Sequence, residues 1–182
     1  MNFGWRFLAV GFLVLSGLRA ADHDQLCGEL VRAERHFCEQ VGEIGISDAF
    51  VANMADECFL PNRLGLSKAE FEHAVQAARA KAGLKPHPGP NPQYQLIWTP
   101  AKVDVSADGT LGYTWGKYES TAPGEDGKKA VSAGIYLTIW KRQADGSWKF
   151  VYDGSPEVPK DPAALQNFFA RSDFPSPPIY AP

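Results

Sequence analysis

Two Ala-Asp-Gly triplets, at 107–109 and 144–146, limit what this chain can become more than any other feature. The first lies between "KVDVS" and "TLGYTWGKYEST", the second between "GIYLTIWKRQ" and "SWKFVYD". These flanking runs are rich in aromatic and β-branched residues. An Asp-Gly pair supplies the backbone that a tight reversal demands, so each triplet should close a β-hairpin. A further run, "YQLIW", stands before Pro100, which should bend or break that strand. "APGEDGKK" reads as a longer polar loop between the hairpins. Residues 94–153 therefore read as an antiparallel, hairpin-connected sheet.

The chain ahead of the sheet has a helical period. Leu26, Leu30, Ala33, Phe37 and Val41 form one apolar stripe and leave Arg32, Arg35, His36 and Glu39 in water. Glu34 falls about 40° from the centre of that stripe at 100° per residue. A carboxyl there either ties the helix to the sheet or has a raised pKa that suits it to chemistry. Ser47 is the expected N-cap of a second, shorter helix with Ile46, Ala49, Phe50 and Met54 on its apolar side. "SKAE", Ser67 to Glu70, is a capping box. The helix it opens is expected to bury Phe71, Ala74, Val75, Ala78 and Ala82, to leave His73 wet, and to end at Gly83. "KPHPGPNPQ", with four prolines in nine residues, excludes both helix and central strand. Three helices followed by such a sheet make an α+β domain.

The first twenty residues do not belong to that domain. Arg6 precedes the uncharged run "FLAVGFLVLSGL", and small residues and then "DHD" follow. This is the layout of a secretory signal, 1–20, cut after Ala20. Its apolar run of 12 residues is shorter than the ~20 a membrane helix needs. Losing Arg6 and Arg19 takes the basic count from 18 to 16 against 21 acidic residues. An acidic chain without a basic stripe is not built for nucleic acid or for an anionic membrane once the signal is gone. The expected location is periplasmic or secreted. The domain is expected over 21–154, with 155–182 a Pro-rich C-terminal strap laid on it.

Export permits disulfides, and the chain has Cys27, Cys38 and Cys58. On one helix Cys27 and Cys38 stand ~16.5 Å apart, beyond the ~7 Å a bridge allows. Cys38 with Cys58 is the expected pair. No C-x-x-C or paired-His spacing marks a zinc site, and no cofactor motif occurs. The one metal reading concerns "ADH". A chain starting at Ala21 would place His23 third, where it and three nitrogens from the amine and backbone could wrap a copper(II) or nickel(II) ion. The competing reading is a wet terminus whose His has no role.

"TPAKVDVSADGTLGYTWGKYES" and "GIYLTIWKRQADGSWKFVYDGS", together with "RAERHF" in the first helix, resemble the nuclear-transport-factor-2-like and SnoaL-like superfamily, in particular small exported bacterial members without assigned activity. The resemblance covers roughly Leu26 to Asp153. It implies a cone-shaped barrel, with a curved antiparallel sheet on which three N-terminal helices pack. It also implies a cavity inside the cone, and in some relatives face-to-face homodimers. Enzymes of the fold place acids and tyrosines in that cavity.

Strict alternation puts Trp148, Phe150 and Tyr152 on one face of the last strand and Asp153 on the other. Asp153 and Glu34 are the candidate catalytic acids. Trp98, Tyr113, Trp115 and Tyr136 are the candidate ligand-binding residues, since each joins an apolar body to a polar tip. Each also has a purely structural reading, as core or cross-strand packing. Two functions are thus expected. One is a binding module for a small apolar molecule. The other is an isomerase-, dehydratase- or hydrolase-type enzyme with Asp153 or Glu34 as general base and a Tyr as hydrogen-bond donor.

Overall fold

The computed structural model of the chain describes residues 23–61, 67–124 and 127–155. The expected signal at 1–20 lies outside them, as does the strap beyond Ser155. Among the described residues no helix is long and apolar enough to cross a membrane.

Helix α1, His23–Ile44, buries Leu26, Leu30, Phe37 and Val41 of the stripe read from the sequence, leaves Ala33 only half-buried, and adds Cys27, Val31 and Glu34. Helix α2, Ile46–Asn53, starts one residue before the expected Ser47 cap. Gly45 occupies the cap position instead, at φ 91°, with no side-chain cap bond. A Cβ on Gly45 would stand 2.8 Å from the Gly89 carbonyl oxygen, so the α1–α2 corner has room only for glycine.

Strand β1, Met54–Phe59, follows α2 directly and has no counterpart among the sequence expectations. Met54, read as a helical residue, is already extended at φ −72° and ψ 141°. Asp56 and Glu57 are exposed in succession, so β1 carries no period-two signal to read. Helix α3, Lys68–Lys81, has the capping box at both of its bonds. It ends at left-handed Gly83, where Gly83 N–H reaches Ala80 O and Leu84 N–H reaches Arg79 O. Only Phe71 and Val75 of α3 are buried, while Ala78 and Ala82 are exposed. Beyond Val75 the helix runs past the core. It is held there by Arg79, whose Nη1 donates to Asp48 Oδ1 at 2.8 Å.

Strands β2 (Gln95–Val105), β3 (Leu111–Pro123), β4 (Lys129–Arg142) and β5 (Trp148–Gly154) form the hairpin-connected sheet. The order is β1-β5-β4-β3-β2. Strand β1 pairs with β5 in parallel, so the sheet is mixed and open rather than wholly antiparallel and closed. Pro100 does not break β2. The register slips by one residue between Pro100 and Lys102, and the strand continues. It tolerates a residue without an N–H because it is the sheet's edge.

The core lies between α1, α2 and the concave face of the sheet. Phe37 is its centre, with ring centroids 5.4 Å from Phe150, 5.0 Å from Phe50 and 4.8 Å from Trp98. Trp140 and Phe150 are fully buried. Burying each such ring contributes about 2–3 kcal/mol. Cys27, Cys38 and Cys58 form no disulfide, so the expected Cys38–Cys58 bridge is absent. Cys38 Sγ instead contacts the Trp98 carbonyl at 3.7 Å, held against β2 at the sheet edge opposite β1, the strand that carries Cys58.

Candidate site in the cone

Register decides which side chains enter the cone. On β4, Tyr136, Thr138 and Trp140 are buried and share one face. Their partners on β3 are Gly116, Thr114 and Gly112. Tyr118 stands opposite Gly134, where a Cβ would be 2.7 Å from its ring, so the bare glycine admits the aromatic ring over β4. Tyr113 and Trp115 alternate with these residues and therefore lie on the other face of the sheet, away from the cone.

Strand β5 breaks its own alternation. Trp140 pairs with Phe150, but Ile139 pairs with Tyr152, so Val151 is an extra residue in the ladder. Past this bulge the faces exchange. Asp153 comes opposite Thr138 on the concave side, and Tyr152 turns outward to stack on Phe59 at 6.2 Å between centroids. The strict alternation expected for Trp148 to Asp153 therefore ends at Phe150.

A cavity of about 290 Å³ opens at this end of the cone. Phe37, Phe50, Leu60, Phe71 and Leu96 line it with apolar surface, and Trp98, Tyr118, Tyr136 and Asp153 bring polar atoms. Its size lies near the lower end of the about 300–1,000 Å³ usual for ligand sites. The cone is hollow where Asp153 stands and filled by Trp140 and Phe150 at its other end.

Glu34 is completely buried. Its carboxylate accepts from Trp98 Nε1, from Thr114 Oγ1 and, at 3.0 Å, from Trp140 Nε1. Burial raises its pKa to about 7 even though all three donors favour the charged form. Both oxygens are engaged, and the contacts join α1 to β2, β3 and β4. Glu34 thus ties the helix to the sheet and also has the raised pKa, so both features read from its position occur together.

Asp153 is partly buried at the cavity wall, and Thr138 Oγ1 donates to its Oδ2 at 2.8 Å. Burial lifts its pKa to about 6, against the opposing effect of that bond. Tyr136 is 7% exposed and lines the same cavity. Its hydroxyl is closed to solvent and makes no hydrogen bond of ordinary geometry among the described residues, although it lies close to the Glu34 carboxyl. Burial raises its pKa above the ordinary tyrosine value, and the charges of Glu34 and Asp153 raise it further. Trp98 also reaches the cavity, but its indole N–H already serves Glu34.

Tyr118, Thr114, Thr138 and Trp140 were not singled out from the sequence. The signal was available once Tyr136 was placed inward, since a count of two along β4 reaches Thr138 and Trp140. On β3 the aromatic residues misled. The inward positions there are Gly112, Thr114 and Gly116: a Cβ on Gly112 would stand 2.6 Å from Leu30 Cδ2 of α1, Thr114 meets Glu34, and a Cβ on Gly116 would run into the β2 backbone at Thr99–Ala101.

No family model matches the sequence, and no curated protein does. Solved structures do. A putative calcium/calmodulin-dependent protein kinase II association domain from Xanthomonas campestris superposes with a TM-score of 0.53 at 16% identity, over 73% of this chain and 88% of that one. A nuclear transport factor 2-like superfamily protein from Salmonella enterica gives 0.52 at 12% identity, over 75% and 93%. The chain has the nuclear-transport-factor-2-like fold. A ketosteroid isomerase-like protein from Erwinia carotovora atroseptica gives 0.52 at 15% identity, over 72% and 97%. At these identities the likeness concerns the fold, and the argument for function rests on the cone's own residues.

Proposed function

We propose that this domain binds a small, mostly apolar molecule in the cone, with one polar group of the ligand set against Tyr136 and Asp153. The observation that carries this reading is the apolar cavity itself, with Asp153 and Tyr136 in its wall and the buried Tyr136 hydroxyl making no hydrogen bond of ordinary geometry among the described residues. A buried hydroxyl left unpaired costs about 1–3 kcal/mol, which a ligand acceptor would recover once a side-chain shift opens the hydroxyl to the cavity. A ligand carbonyl or hydroxyl oxygen is the matching group. The N-terminal charge and hydropathy pattern supports placing this activity in the periplasm or outside the cell.

A second reading is proton transfer of the isomerase type. It is favoured by an acid titrating at about 6 that lines the same cavity as an unpaired phenol. Asp153 would take a proton from a carbon next to a carbonyl, and Tyr136 would donate a hydrogen bond to the enolate oxygen that develops.

A panel of cyclic ketones and phenols, screened by ligand-induced thermal shift, tests binding. Wild type should be stabilised by at least one class and Tyr136→Phe should not. Equal shifts in both proteins would end the proposal. Proton–deuterium exchange at the carbon next to the carbonyl of a bound ketone, followed by NMR, separates the readings. Exchange that Asp153→Asn abolishes supports the enzyme, whereas binding without exchange supports the binding module.

The outer face of the sheet supports a further proposal, a homodimer paired face to face. Ile97 is 59% exposed there and Leu137 37%, alongside Tyr113 and Trp115. Sedimentation should show a dimer that Leu137→Arg splits into monomers.

A further inference from the structure

At the opposite edge of the domain from β1, three side chains with metal-binding atoms meet. His23 is the first residue of α1, Cys27 lies one turn later, and Asp104 comes from edge strand β2. One donor atom from each lies within 4.8 Å of the other two. His23 Nε2 is 2.8 Å from Asp104 Oδ1, and Cys27 Sγ is 3.8 Å from His23 Nε2. We propose that His23, Cys27 and Asp104 form a site for a divalent, thiophilic metal ion, zinc(II) foremost.

Two of the three donor pairs stand within about half an ångström of what such an ion requires, and the third, Cys27 to Asp104, lies within 4.8 Å. Zinc binds nitrogen and oxygen at about 2.0–2.1 Å and thiolate sulfur at about 2.3 Å. In a tetrahedron those bonds place donor atoms about 3.3–3.7 Å apart. The His–Asp pair must open by about half an ångström and the Cys–His distance is already near its target. Cys27 Sγ is nearly equidistant from both ring nitrogens, at 3.8 and 3.9 Å, so the imidazole must also turn to aim one nitrogen at the ion. His23 is free to do so, because its side chain is 54% exposed. The other two donors are anchored. Cys27 is fully buried in the core stripe, and Asp104 Oδ1 accepts from the Val105 backbone N–H at 2.9 Å. That second bond orients the carboxylate, as outer partners do in metal sites.

The donor set also selects the class of ion. Thiolate, imidazole and one carboxylate suit zinc and its neighbours, whereas calcium and magnesium require oxygen cages. Three protein donors leave one tetrahedral position, and the half-exposed His23 and Asp104 give solvent access to the cluster. A water or an external donor group would complete the coordination, as in zinc sites that keep an open position. The cluster stands apart from the cone, whose cavity none of the three residues lines.

Cobalt(II) added to the metal-free full-length chain provides the probe. The expected result is a thiolate-to-cobalt charge-transfer band with intense visible bands of tetrahedral cobalt, bleached by equimolar zinc(II). Cys27→Ser should abolish the charge-transfer band, and Asp104→Asn should weaken binding by about tenfold or more. Asp104 is half exposed, so its variant keeps the fold even if the buried Cys27 substitution does not. Absence of a cobalt spectrum in wild type overturns the proposal. So does a spectrum that both variants retain, which would place the ion on donors other than Cys27 and Asp104.

Discussion

Thr138 and Asp153 face each other across β4 and β5, and the Thr138 hydroxyl donates to the Asp153 carboxylate at 2.8 Å inside the cone. They meet only because Val151 is bulged out of β5. Without that extra residue Asp153 would point outward and Tyr152 would point in. The acid of the candidate site is thus placed by a ladder irregularity, a recurrent device for re-aiming a side chain beside a functional pocket.

Tyr136→Phe should act with opposite signs on stability and on binding. Removing a buried, unpaired hydroxyl should leave the ligand-free protein unchanged or more stable by about 1 kcal/mol. Affinity for an oxygen-bearing ligand should fall by about 1 kcal/mol or more at the same time. Urea denaturation and a binding titration on the same variant check both. A clear loss of stability would mean that the hydroxyl has a structural partner.

Glu34→Ala should cost about 3–5 kcal/mol, because it opens a cavity and strands Trp98 Nε1, Trp140 Nε1 and Thr114 Oγ1 among apolar neighbours. Chemical denaturation measures it. A cost under 1 kcal/mol would mean that the helix–sheet tie does not depend on this carboxylate.

Stability should fall as pH rises from about 4 to about 7. Asp153 and Glu34 have folded pKa values raised to about 6 and about 7 from ordinary values of 3.8 and 4.5. The folded state therefore holds those protons where the unfolded state has released them, and ionising either group opposes folding. Each acid alone accounts for about 3 kcal/mol at most, at about 1.4 kcal/mol per pKa unit. Denaturation midpoints at about pH 4.5 and about pH 7.5 should differ less in Asp153→Asn than in wild type. An equal pH dependence in the two proteins would show that Asp153 does not titrate in this window.

Trp148→Ala should cost about 3–5 kcal/mol as a large-to-small change in the core, where Trp148 is 7% exposed. Trp148→Phe should cost about 1 kcal/mol, since the indole N–H it removes has no partner among the described residues. A loss below 1 kcal/mol for the alanine variant would place the ring outside the core.

All three cysteines should titrate as thiols after unfolding, even in protein prepared under oxidising conditions. In the native state burial pushes the Cys58 thiol up to about 12, so it should react with a disulfide reagent far more slowly than in urea. Recovery of only one thiol per unfolded chain would reveal a bridge.

Local chemistry in the sequence determined much of this protein. The Ala-Asp-Gly turns place two hairpins, the Ser67–Glu70 box starts α3 and Gly83 ends it, and the α1 stripe names most of its own buried face. Each of these depends on residues within a few positions of one another. Tertiary structure decided the rest. Strand β1 exists because β5 offers it an edge, and its own residues carry no alternation. Tyr113 and Trp115 lie outside the cone because the inward positions of β3 are crowded, by α1 at Gly112 and Thr114 and by the β2 backbone at Gly116. Asp153 faces inward through a one-residue slip between strands, and Asp104 meets His23 across 81 positions of chain. Such placements are set by how distant segments stack and slide against one another. A period counted along one segment carries no record of them.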